Sequence, residues 1–284
     1  MMKIAKKWEW EINAKTTDWS WNPKELLSYR HLLFSLVRRE FLLSYQQTLL
    51  GPVWVLFQPI VTLITYVLVF GKLIGVSIGT LPPVLFYFSG IILWNFFQDS
   101  FTDSSGTFKQ NINLFSKVYF PRIIMPISVI TTQFLRFSIQ LVLLLLLITY
   151  YIIFKDFRIH FSIALLGIPL AIIGVGVISL SLGLIFSILT AKYRDLSNMV
   201  NLITRLLMFV TPVIYPLASV PADLHWIVVL NPLTSLFELF RLSLLGEGTV
   251  SLPYLIYSIV FMILIFPAAL WIFNKNGTKL IDVI

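Results

Sequence analysis

The sequence predicts an all-α polytopic membrane protein. It has six transmembrane helices, an N-terminal amphipathic helix in the membrane interface, two short re-entrant helices before the last span, and both termini cytoplasmic. Three observations carry this. Of 284 residues 58% are hydrophobic and only 12% charged, with a mean hydropathy of +0.88, whereas soluble domains are about 45–50% apolar and about 25% charged. Several apolar runs approach or exceed the roughly 20 residues a helix needs to cross a bilayer, and no barrel-like alternation is present, so helices must satisfy the backbone in lipid. With the N-terminus inside, fifteen of the 21 basic residues fall on the cytoplasmic side, four (Lys72, Lys155, Arg158, Arg241) fall outside, and Arg136 and Arg205 lie within spans. That is the positive-inside bias. It accounts for the formal charge of +8 without nucleic acid, and none is expected as a partner.

Residues 1–21 are polar, with Trp8, Trp10, Trp19 and Trp21 among lysines and glutamates, a mixture suited to a membrane–water interface. They lack the apolar core and small-residue cleavage site of a signal peptide, so the N-terminus is expected to stay on the chain. Asn22-Pro23-Lys24-Glu25 reads as a helix start, with Asn as N-cap, Pro at N1 and Glu at N3. From 22 to 48 the apolar residues Tyr29, Leu33, Leu36, Val37 and Phe41 recur at helical spacing, and His31, Ser35, Arg38 and Arg39 fall opposite. This is the interfacial helix.

Gly51-Pro52 ends that helix, and 53–74 is the first span. The second, 84–101, carries Trp94 and several phenylalanines, and Asp99 and Asp103 mark its wet end. Residues 111–126 form a cytoplasmic loop that mixes Lys117 and Arg122 with Tyr119 and Phe120 and is stiffened by Pro121 and Pro126. Charge interleaved with rings is what a docking surface presents. The third span is 127–154. The fourth, 161–189, is rich in glycine (Gly167, Gly174, Gly176, Gly183), the composition of closely packed helices. The fifth span, 197–217, ends in Thr211-Pro-Val-Ile-Tyr-Pro216. Residues 220–246, with Asp223, His225, Asn231, Pro232, Glu238 and Arg241, are too polar and broken for a simple crossing, and two short helices dipping into the outer leaflet fit best. The last span is 252–273. No internal repeat or second domain stands out.

Absences narrow the chemistry. There is no cysteine and no G-x-x-x-x-G-K-[ST], so the chain has no P-loop of its own. No H-E-x-x-H or Ser-His-Asp set can be assembled, and no catalytic residue or metal ligand is assigned. Ion-coupled carriers keep acidic or histidine residues at midplane. Here only Arg136 and Arg205 lie within spans, both within snorkelling reach of the interface. What remains is aromatic: Tyr66, Tyr87, Trp94, Phe97, Phe209 and Tyr215 lie within or at the ends of spans and are candidates to line a central channel. Rings stack on the C–H faces of sugars while phenol and indole tips pair with hydroxyls.

Four motifs in order, Tyr45-x-x-x-x-Leu50-Gly51-x-x-Trp54-x-x-x-x-Pro59, Lys117-Val-Tyr-Phe-Pro-Arg-Ile-Ile-Met-Pro126, Tyr193-Arg-Asp-Leu196, and Thr211-Pro-x-x-Tyr-Pro216 with Asn231-Pro-Leu-Thr234, closely resemble the permease subunits of ABC exporters for cell-surface polysaccharides. These are the O-antigen and teichoic-acid export permeases. The resemblance implies a homodimer enclosing a channel in the bacterial inner membrane, served by two copies of a separate ATPase that uses ATP and Mg, with no cofactor bound by this chain. It assigns Lys117, Tyr119, Phe120, Pro121 and Arg122 to the contact with the ATPase. It makes the broken segment an outer gate, with Asp223, Asn231, Pro232 and Glu238. The implied cargo is a glycan on undecaprenyl diphosphate, for whose diphosphate Arg38, Arg39 and Arg122 are the entrance candidates. A teichoic-acid or other lipid-linked glycan exporter is the alternative. A membrane enzyme acting on polyprenyl-linked sugars would have to use Asp223, His225 and Glu238.

Overall fold

The computed structural model describes residues 27–111, 114, 120–155, 157, 166–193 and 195–281, with side chains described as far as 277. The tryptophan-rich start, the Asn22 cap, Lys117, Tyr119 and Arg194 lie outside these. All regular secondary structure among the described residues is helical. In chain order the helices are α1 (Arg30–Tyr45), α2 (Trp54–Tyr66), α3 (Pro83–Ser105), the single turn α4 (Thr107–Gln110), α5 (Ile124–Lys155), α6 (Gly167–Lys192), α7 (Leu196–Val210), α8 (Ala222–Leu230), α9 (Pro232–Leu245) and α10 (Leu252–Ile281).

Helix α1 closes earlier than the expected 48, because Gln46 is extended and Gln47 takes a positive φ of 59°. Gly51 follows at φ 55° and opens a 3-10 turn with Pro52 at its start, which runs into α2. Helix α2 continues as a π-helix over Val67–Leu73, so the whole stretch Gly51–Leu73 is one apolar rod.

Four helical stretches, Gly51–Leu73, Ile124–Lys155, Gly167–Lys192 and Leu252–Gly277, are each long and apolar enough to cross a membrane. Helices α8 and α9 qualify only as a pair, bent by 94° at Asn231. The expected fifth span stops at Val210: Thr211 precedes Pro212 and is extended at ψ 138°, as the residue before a proline must be. The 15 residues of α7 reach about 22 Å, short of a hydrocarbon core of about 30 Å.

Helix α3 is the axis. Phe86, Tyr87, Phe88, Trp94, Phe97 and Phe101 are all buried, because α5, α6, α7 and α9 pack round it. Rings continue outward from it, Phe96 to Phe137 at 5.3 Å and Phe137 to Phe240 at 6.3 Å. Two of its serines bond backwards to their own helix, Ser89 to the Phe86 carbonyl at 2.8 Å and Ser105 to that of Thr102 at 2.6 Å, which satisfies them inside an apolar core.

The glycines of α6 serve as their spacing predicts. A methyl group at Gly183 would come within 3 Å of Ser104 on α3, and at Gly174 within 3 Å of Leu236 on α9. Small residues there let three backbones approach closely, the source of van der Waals attraction where no hydrophobic driving force exists between helices. The outward faces of α2, α5 and α10 instead expose Phe57, Ile64, Leu146, Ile153, Ile263 and Leu264, as lipid requires.

Candidate functional site

Two polar clusters sit at opposite ends of this bundle, and the expected site residues distribute around them.

At the end where α1 lies, the chain of contacts starts on α3. Gln133 donates from Nε2 to Asp103 Oδ2 at 2.6 Å, and Arg136 donates from Nη1 to Gln133 Oε1 at 3.2 Å and from Nη2 to Ser44 Oγ at 2.7 Å. The Arg136 guanidinium also lies 5.5 Å from the Tyr45 ring. Burial raises the pKa of the Tyr45 phenol, against the pull of Arg136. One turn further along α5, Gln140 donates to the Val55 carbonyl at 3.1 Å. The sequence flags Asp99 and Arg136 only as residues near a wet end. Folding turns them into facing walls of a cavity of about 590 Å³, lined also by Ser44, Tyr45, Trp54 and Gln98.

The loop before α5 docks on the same end. Phe120 is buried with Leu36 of α1, Ile124 and Met125. Pro121 and Arg122 form the turn that starts α5, where the Ile124 amide donates to the Pro121 carbonyl at 3.0 Å. The Arg122 guanidinium is near Gly277 of α10. Phe120 therefore faces α1 within the chain, not outward. Arg38 is exposed, and Arg39 is half-buried and 3.8 Å from Glu40. These sites carry positive charge beside the bundle end without meeting in one pocket.

The opposite end is held by a buried ion pair within the segment that the sequence makes a pair of helices dipping into the outer leaflet. Arg241 and Glu238, one turn apart on α9, meet at 3.3 Å, and each is at most 4% exposed at its side chain. Arg241 also donates from Nη2 to the Val213 carbonyl at 2.9 Å and lies 4.0 Å over the Phe86 ring. The second Glu238 oxygen accepts from the Thr249 amide at 2.9 Å. Asn231 caps α9 by accepting from the Leu233 amide at 3.1 Å, and its Nδ2 donates to Thr211 Oγ1 at 2.8 Å. Pro232 occupies N1, where its missing N–H costs nothing. Asp223 is exposed in the first turn of α8. Since Glu238 commits its carboxylate to Arg241 and Thr249, it forms no acid–base pair with Asp223 or His225. The strap Gly79–Thr80 is tied to this end by a hydrogen bond from Thr80 to Glu247.

Of the six rings expected to line a channel, Tyr87, Trp94 and Phe97 are packed inside the protomer at no more than 2% exposure. Trp94 spends its indole N–H on Gln98 at 3.0 Å. Tyr66, Phe209 and Tyr215 reach the surface. Tyr66 packs edge-on to Tyr87 at 6.4 Å, Tyr215 donates to the Phe209 carbonyl at 2.9 Å, and Phe209 is 65% exposed. Tyr87 and Trp94 could not be told from Tyr66 in sequence, because nothing in a ring-rich span says which side meets a neighbour.

Comparison with known proteins places this architecture. The chain is 26% identical over 253 residues to the O-antigen export system permease protein RfbA of Klebsiella pneumoniae, covering 89% of this chain and 95% of the relative. Its identity to the protein of the same name from Myxococcus xanthus is 30% over 220 residues, 77% and 82% of the two chains. It is 26% identical over 228 residues to the polysialic acid transport protein KpsM of Escherichia coli, 78% and 85% of the two chains. These relatives are transporter permeases, not enzymes, and in their family the ATPase is a separate subunit, in keeping with the missing P-loop. Residues 31–245, from α1 to the end of α9, match the ABC-2 type transporter family, and the chain belongs to that family as an integral membrane permease.

Proposed function

We propose that this chain is the channel-forming subunit of an ATP-driven exporter that moves an undecaprenyl-diphosphate-linked polysaccharide of O-antigen type across the bacterial cytoplasmic membrane. The observation that carries the reading is similarity to O-antigen export permeases along 89% of the chain and 95% of the relative, which leaves little of either outside the match. Two copies form the channel and two ATPase subunits bind on the side of α1. The chain crosses six times with both termini inside, with α3, and α7 together with the segment 211–217 that follows it, completing the four self-sufficient spans, and α8–α9 forming the re-entrant gate at the outer mouth.

The loop at 111–126 is the ATPase contact in this reading. Lys117, Tyr119 and Arg122 supply the docking surface. Phe120, seated on Leu36, and Pro121 make the loop and α1 move as one body, so a push on the loop reaches the interface. Tyr66, Phe209 and Tyr215 are the rings free to meet cargo, and Arg38, Arg39 and Arg122 attract the diphosphate. Asn231, Pro232 and Glu238 hold the gate, and Asp223 keeps its rim wet.

Deletion of the gene, with complementation, tests the reading. Surface polysaccharide should fall and lipid-linked glycan should accumulate inside. Unchanged surface glycan with no internal accumulation would refute it.

A further inference from the structure

The cavity between α1, α2, α3 and α5 has a lining that the export reading does not use. We propose that it is a saccharide subsite within each protomer, taking one neutral pyranose ring of the exported glycan; this rests on the polysaccharide reading above.

The lining chemistry carries the assignment. Gln58, Asn95 and Gln98 place three carboxamides around about 590 Å³, inside the size range of small-molecule sites, about 300–1,000 Å³. A carboxamide offers a donor and an acceptor side by side, and adjacent sugar hydroxyls present the same pair in reverse; Gln98, whose Oε1 accepts from Trp94, brings its N–H donors. Gln140 adds the sharpest feature. Its Nε2 is used by the Val55 carbonyl, but its Oε1 is buried with no partner, and the residue is only 7% exposed. A buried acceptor left unpaired is costly; Oε1 is closed off from the cavity in this conformation, and a turn of the side chain that brings it to a bound hydroxyl would relieve that cost.

Rings complete the arrangement. Tyr45 and Trp54 line the same cavity, Trp54 at 40% exposure, so an apolar face is open for a sugar's C–H surface. Asp99 and Arg136 both line the walls, a carboxyl acceptor and a guanidinium donor that can each bond a hydroxyl, and the carboxamides beside them give a neutral ring more partners than a diphosphate would find.

The test uses the full chain in lipid nanodiscs, free of sugar-based detergent. Saturation-transfer NMR is recorded with the methyl glycosides of glucose, galactose, mannose and rhamnose, and with pyrophosphate as competitor. At least one glycoside should receive saturation. The signal should weaken roughly fivefold in Asn95→Leu and Gln140→Leu, the effect of losing one or two hydrogen bonds. It should persist in Trp54→Phe and resist pyrophosphate. Asn95→Asp, which keeps the shape but sets a second carboxylate near Asp99, covers the case in which the leucine variants do not fold. No glycoside signal, equal signals in wild type and variants, or displacement by pyrophosphate overturns the subsite. Surface glycan measured in the same strains separates the two readings. An export-competent protein that binds none of the four overturns the subsite alone. Normal surface glycan in a deletion strain overturns the polysaccharide reading and removes the subsite's premise.

Discussion

Replacing Glu238 with Leu should destabilise the protein far more than replacing Glu238 and Arg241 together. In the single variant the Arg241 guanidinium stays buried, with the Val213 carbonyl and the Phe86 face as remaining partners, and the Thr249 amide loses its acceptor. Breaking one side of a buried pair costs about 3–5 kcal/mol, whereas exchanging both partners for apolar residues of similar volume is often neutral or better. At about 2–4 °C per kcal/mol for a chain approaching this size, Glu238→Leu should lower the melting temperature by about 6–20 °C. Glu238→Leu with Arg241→Met should recover most of that loss. Glu238→Gln, which still accepts from Thr249 but lacks the charge, should fall between. The assay is thermal unfolding of the purified protein in one detergent, followed by tryptophan fluorescence. A double variant no more stable than Glu238→Leu would refute the reasoning, since the cost would then lie in packing rather than in an orphaned charge.

Other consequences follow from the same contacts. Gly183→Val should cost about 1–3 kcal/mol by forcing α6 away from Ser104, read as lower melting temperature with less protein in the membrane. Arg136→Met removes the bonds to Gln133 and Ser44, so amide exchange in α1 should accelerate while α6 stays protected; equal exchange in both would sink the idea that Arg136 anchors α1. Asn231→Ala strips the α9 cap and the bond to Thr211, with an expected loss of about 1 kcal/mol for the cap and a smaller change for Asn231→Ser. Phe120→Ala should leave ATPase binding in place yet reduce substrate-coupled ATP hydrolysis in the reconstituted complex, because the loop no longer grips Leu36; undiminished coupling would count against the loop as transmitter.

What was legible in the sequence was what local composition dictates. The glycines of α6 announce close packing because only a missing side chain permits it, and Asn231-Pro232 announces a helix start because cap and N1 chemistry are local. Thr211-Pro212 was legible too, and its consequence, a helix ending at Val210, follows from a backbone rule that hydropathy obscures. Long-range pairing was not legible. Asp103 and Gln133 are 30 residues apart and Val213 and Arg241 are 28 apart, and no spacing rule joins residues on different helices. The fate of Tyr87, Trp94 and Phe97 was hidden for another reason: lipid, core and channel all accept rings.

The Arg136–Ser44 bond joins residues 92 positions apart, and that separation has a meaning during synthesis. At about 5–20 residues per second, roughly 5–18 s pass between the emergence of α1 and that of the arginine that ties it down. Through that interval α1 lacks Ile124, Met125 and Arg136, the α5 partners that hold it in the folded chain, and its Phe34, Leu42 and Leu43 remain outward even afterwards. The packing of α1 is therefore completed only once α5 has been made.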